Sequence, residues 1–205
     1  MANTFSPFGF RQFRRLDGGA PTAGFDTLTI ASSDTNVIGT GDCVVTSATG
    51  PYVTAPSSGF SQIRGVFMGC EFYSPTFQRK VWSPYFPGSV ATTSGTNDAQ
   101  AWVCTDPEML YTVQGSTTGA ITSSMVNLNF AISSGAFGGA NTTTGISALT
   151  LASTTFSSTN TLPWRLWDLW SNWAPPGTNG TDNTNPGNYV IVQPNNFDRS
   201  NLTGI

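Results

Sequence analysis

The apolar residues of this chain come in short runs, each cut off by Gly, Pro, Asn or Asp before reaching helical length. Polar and apolar residues alternate in Thr27-Leu28-Thr29-Ile30, and more weakly over residues 35–38. Residues 42–46 form a short β run after the turn Gly39-Thr40-Gly41. The longest strand candidate is residues 62–73, where Gly65 and Gly69 point to bends or close backbone approach. Residues 78–82, 99–105 and 110–114 continue the series, punctuated by Pro75, Pro84, Pro87 and Pro107. A short helix or turn is expected near 120–124, then strands at 126–132, 147–151, 164–170 and 189–193. Roughly nine or ten short strands between turn signals predict an all-β fold. The expected body is a single β-barrel or a jelly-roll-like sandwich with long polar loops, around 135–145 and 174–187.

Composition supports that reading. Only 9% of the 205 residues are charged, against about 25% in an ordinary soluble domain. Ser, Thr, Asn and Gly take their place, so long solvent-facing helices lack their usual residues. The 14 Phe, 6 Trp and 5 Tyr need an interior or a partner, which argues against a disordered chain. A domain of this length can bury about 70% of its unfolded surface without a disulfide or metal staple. Cys43, Cys70 and Cys104 are odd in number and widely spaced, so they read as small buried hydrophobes in a reducing compartment. One bridge among them stays open at this point.

The net charge of -3 gives the chain as a whole no electrostatic case for nucleic acid. No run approaches the ~18 apolar residues of a membrane span, and no apolar core of an export signal follows Met1. Synthesis in, and retention by, a cytoplasm is the expectation.

Residues 1–25 are set apart from the body expected over 26–205. Phe5, Phe8, Phe10 and Phe13 are interleaved with Arg11, Arg14 and Arg15, and a Gly-Gly-Ala-Pro breaker follows. Neither a strand nor a helix period fits, so the segment reads as an extended arm. Its phenylalanines are candidate anchors in pockets of a neighbouring subunit, with the arginines meeting acidic groups there. Stacking on nucleic-acid bases and folding back on its own core are the rival readings.

Catalytic chemistry is scarce in the sequence. With no histidine, the usual general base and the Ser-His-Asp and Cys-His arrangements are absent. Asp98, Asp106 and Glu108, or Asp168 and Asp182, would have to form a carboxylate pair in one cleft, which their spacing does not indicate. No phosphate loop, dinucleotide fingerprint, calcium loop or zinc spacing occurs, so neither cofactor nor metal is expected. Trp164, Trp167, Trp170 and Trp173 recur every three residues. Read as a strand, Trp164, Leu166 and Trp170 share one face, with Trp167 and Leu169 on the other. Core and subunit-interface packing is the plainer reading, and a sugar-stacking platform is the sharper one.

A series of short motifs runs in order along the chain. It begins with Met1-Ala2-Asn3, then Ser6-Pro7-Phe8-Gly9-Phe10-Arg11 and Leu16-Asp17-Gly18. Gly41-Asp42-Cys43-Val44-Val45, Gly65-Val66 with Gly69, and Asp106-Pro107 with residues 111–114 follow. Residues 164–169, Tyr189-Val190-Ile191-Val192, Asn195-Asn196 and Thr203-Gly204-Ile205 complete it. The ordered series resembles a family of tailed-bacteriophage head proteins known as cement, decoration or head-stabilisation proteins. The four Trp residues and the 174–187 loop depart from the family pattern. The resemblance implies a β-barrel-like or sandwich body on the outer capsid surface of a virion, bound to major capsid protein at symmetry-related junctions. It implies no enzyme activity. Capsid geometry then favours a homotrimer at three-fold sites, with a homodimer at two-fold sites as the alternative. The rival function is a glycan-binding head or tail appendage that uses the Trp-rich segment.

Overall fold

Turn residues do divide the chain into short strands, and those strands form two curled sheets that share one wall. The computed structural model describes residues 2–21, 25–57, 60–90, 97–133, 139–170 and 180–198. Their strands are β1 (Arg11–Arg15), β2 (Asp26–Ile30), β3 (Ile38–Gly39), β4 (Cys43–Thr46) and β5 (Val53–Thr54), then β6 (Gly65–Ser74) and β7 (Arg79–Ser83). They continue with β8 (Tyr85–Phe86), β9 (Ala99–Cys104), β10 (Met109–Gln114), β11 (Asn129–Ile132), β12 (Leu151–Ser157), β13 (Trp164–Leu169) and β14 (Tyr189–Pro194). Ser123–Met125 form a short 3-10 turn. The fold is all-β.

The first sheet runs β1-β10-β14-β13-β11-β12, antiparallel throughout. It is nearly closed into a barrel, because Gly115 bridges Leu151 and the Ser116 N–H donates to Leu151 O at 2.8 Å. The second sheet runs β2-β9-β6-β4-β5, with β7 added to the far half of β6. It also curls, bringing Tyr52 beside Thr29. β3 and β8 pair separately.

The shared wall is made by β4, β6 and β9. Their successive side chains point to opposite faces, and each face meets its own core. Cys43, Val66 and Cys104 face the first core, while their neighbours Val44, Phe67 and Val103 face the second. All six are buried. A strand covered on both sides needs apolar residues at every position, which accounts for the unbroken runs Cys43-Val44-Val45 and Val66-Phe67-Met68. Gly65 is required on this wall, since a Cβ there would lie 2.4 Å from the carbonyl oxygen of Cys104. The three thiols are free and buried. Cys43 pairs with Val66, and Val66 with Cys104, so these two cysteines sit two strand spacings apart, about 9–10 Å. That is too far for a bridge.

Three expectations are corrected. Residues 147–150 are not strand, and β12 runs over Leu151–Ser157 instead, because Ser147 turns inward to hydrogen-bond the buried Asp42. The weak alternation over 35–38 yields only the two-residue β3. Third, the extended amino-terminal arm is not set apart from the body. Arg11–Arg15 form β1, which pairs with β10 through a bulge at Phe13. The residue pattern of β1 hid this, since its pairing comes from main-chain hydrogen bonds that leave no hydrophobic period.

Candidate functional site: a cleft between the arm and Trp170

The first residues of the chain are held by side-chain amides. The Asn3 side-chain amide donates to the carbonyls of Asp182, Asn185 and Pro186, and its oxygen accepts from the Asp182 N–H. Gln114, fully buried at the end of β10, donates to Thr4 O and Gly187 O and accepts from the Ser6 N–H. Asp182 is held below the usual carboxylate range by hydrogen bonds from Thr184 and Asn185. Residues 3–6 are thereby fastened to residues 182–187.

At Gly9 the chain adopts φ +70°, and a Cβ would come within 2.4 Å of Ser147. This tight turn sends Phe8 and Phe10 to opposite sides. Phe10 is a core residue, 1% exposed, stacked on Trp164 at 4.2 Å and 10° between ring planes. Phe8 stays outside and meets Tyr189 edge-on at 5.2 Å. Beyond it, the Arg11 guanidinium lies 5.0 Å over the Phe8 ring, and that of Arg14 lies 5.8 Å over Phe13. Phe13 in turn meets Trp170 edge-on at 5.3 Å.

Five sequence candidates thus converge on one surface: Phe8, Arg11, Phe13, Arg14 and Trp170. The others do not join them. Phe10 is interior packing, a correction to its reading as an anchor on a neighbouring subunit, while Trp164 lies in the core, as the plainer reading of the Trp segment expects. Arg15 turns back on its own body, to Glu108 at 2.9 Å, Asp106 at 3.5 Å and Asp17 at 3.7 Å. Those three acids raise its pKa further, the hydrogen bond to Glu108 most of all. Phe5 is exposed near Gly187, and Trp167 is exposed on β13. Trp173 lies outside the described residues.

Trp170 reaches this surface because β13 has a bulge at Trp167. The extra residue reverses the alternation, so Leu169 packs on the core and Trp170 does not share the inward face of Trp164. The result is a cleft of about 530 Å³. Phe8, Pro7, Ile146 and Trp170 supply its apolar lining, and Ser6, Thr112, Tyr189 and Arg11 its polar groups. That volume falls within the ~300–1,000 Å³ usual for ligand clefts. Gly180 fixes the Tyr189 ring from behind, since a Cβ there would lie 2.5 Å from it. Burial raises the Tyr189 pKa, and the positive charge of Arg11 partly opposes that rise. Among the described residues no acidic side chain lines the cleft. Among the described residues neither Arg11 nor Arg14 makes an ion pair.

The carboxylates singled out for acid-base work serve structure instead. Asp106 and Glu108 bind Arg15, and Asp106 also caps its own turn by accepting from the Glu108 N–H. Asp98 accepts from the Ser32 N–H and the Tyr52 hydroxyl. Among the described residues no three His, Cys, Asp or Glu side chains gather as metal ligands, and no helix is long and apolar enough to cross a membrane.

Three contributors escaped the sequence reading. Tyr189 carries a usable signal, since it has the opposite parity to the buried Val190 and Val192 of β14. Gln114 and Asn3 carry none, because a clamping amide looks like any surface amide. No family model, curated protein or solved structure matches the chain.

Proposed function

We propose that this chain is a non-catalytic cement or decoration protein of a tailed-phage head, docking on the outer face of the major capsid protein lattice. One observation carries the reading: aromatic rings and two arginines without ion pairs meet on one side of the first sheet. Aromatic residues and Arg are the types enriched at the energetic centres of protein interfaces. On a chain of net charge -3, a local cationic and aromatic patch selects an acidic counterpart. Binding only the expanded lattice stabilises that state by mass action. Copies of the chain are expected as trimers at three-fold positions, with dimers at two-fold positions as the alternative.

Deleting residues 1–15 is a poor test, because it removes Phe10 from the core and β1 from the first sheet. The double variant Arg11→Glu, Arg14→Glu keeps both and reverses the patch. Its occupancy on expanded heads, read by particle reconstruction, is expected to fall at least tenfold with an unchanged melting temperature. Full occupancy at the same sites overturns this reading. The second reading, a glycan-binding appendage, is favoured by the cleft itself, whose Phe8, Tyr189 and Trp170 rings border a concave space of ligand size.

A further inference from the structure

We infer that the cleft between the arm and Trp170 binds a carboxylate-bearing sugar, Arg11 taking the carboxylate and the rings of Trp170, Tyr189 and Phe8 taking the apolar face of the sugar. This rests on the second, glycan-binding reading and adds to it the class of glycan.

The charge requirement comes from Arg11. It is exposed, makes no ion pair among the described residues, and is steadied by its position over Phe8. A guanidinium offers paired N–H donors that match a carboxylate, unlike the point charge of an ammonium. Among the described residues the cleft lining holds no acid to compete for it. The rest of the chain is net acidic, so an anion is attracted to this place by local chemistry and not by a general field.

The ring requirement comes from the walls. Pyranose rings carry C–H groups on one face and hydroxyls at the edge, and the cleft offers aromatic surface next to the hydroxyls of Ser6, Thr112 and Tyr189. An acidic peptide is the main competitor. An extended peptide gains affinity by pairing its main chain with a free strand edge. Here the cleft is lined by residues 6–8, Arg11, Thr112, Ile146, Trp170 and Tyr189, drawn from separate segments and not from one strand edge. The site is built from side chains on the face of the sheet. That geometry favours a compact ring ligand.

Calorimetric titration of the full chain tests this with trigalacturonate and sialyllactose, each beside its methyl ester, which keeps the rings and removes the charge. At least one acid is expected to bind tenfold or more tighter than its ester, with the preference shrinking as salt screens the pair. Arg11→Gln should erase the preference, and Trp170→Ala should weaken acid and ester alike by tenfold or more. Trp82→Ala, on an exposed aromatic of the other sheet, should change nothing, and melting curves confirm that each variant is folded. Equal binding of acid and ester overturns the inference while the glycan reading survives. Binding of none of the four sugars overturns both. Tighter Arg11-dependent binding of an acidic peptide than of any sugar overturns it in favour of a protein partner.

Discussion

The two cores solve the same problem with different materials. The first is built around large rings: Trp164 is fully buried, Phe10 stacks on one face of it, and Tyr111 meets it edge-on at 5.4 Å. The second is filled mainly by Ile, Val and Ala, with Phe67 and Phe86 its fully buried rings among the described residues. The first core therefore depends on a residue from the amino-terminal segment. The second closes without it. The arm is fastened by the same packing that completes one half of the molecule, so the candidate cleft is only as firm as that packing.

Breaking the first core should show the difference most clearly. Trp164→Ala is expected to cost about 3–5 kcal/mol, seen as a lower denaturation midpoint. It should also release the amides of residues 2–15 to hydrogen exchange. Ile30→Ala, in the second core, is expected to cost about 2–4 kcal/mol and to leave those amides protected. Equal loss of arm protection in both variants would sink the distinction.

Next in size is a charge buried close to where the arm meets the wall. Asp42 accepts from the Gly39 N–H at 2.6 Å and from the Ser147 hydroxyl, and burial pushes its pKa up to about 6. The folded state then holds a proton that the unfolded chain, with an ordinary carboxylate near pH 4, gives up. Its contribution is present below that ordinary value and is lost as pH rises from about 4 through about 6, a change of about 3 kcal/mol. Asp42→Asn can keep the Gly39 bond, so denaturation of this variant should lack that component of the pH dependence. Identical pH profiles for both proteins would refute the assignment.

The smallest effect sharpens the comparison at the latch. Gln114→Ala removes the donor to Thr4 and Gly187 and the acceptor for Ser6, at an expected cost of about 1–3 kcal/mol. Phe10 stays stacked, so the loosening should be confined to residues 2–8. Hydrogen exchange resolves this, with β1 remaining protected.

Much of the architecture was readable from the chain. The wall strands announced themselves because burial on both faces demands continuous apolar residues, and β2 and β14 gave clean runs. Sequence pattern failed where parity is broken by backbone geometry. Gly9 inverts the sense of Phe8 and Phe10, and the bulge at Trp167 inverts Trp170, so equally spaced aromatics part company between core and cleft. In β1, a single Phe among Arg and Gln leaves no period to detect. β5 and β8 are two residues each, below the length at which alternation means anything. Part of the candidate site's composition was visible, but its assembly from widely separated segments was not.

The wall of β4, β6 and β9 has a mechanical consequence. A partition lined on both sides gives neither compartment a boundary of its own, so whatever loosens one lining strips contacts from the other. Heat or pulling force should make the molecule yield in one concerted step and not half by half. If the chain braces a larger shell, as proposed above, that all-or-none response would let it carry load up to a sharp limit without softening on the way.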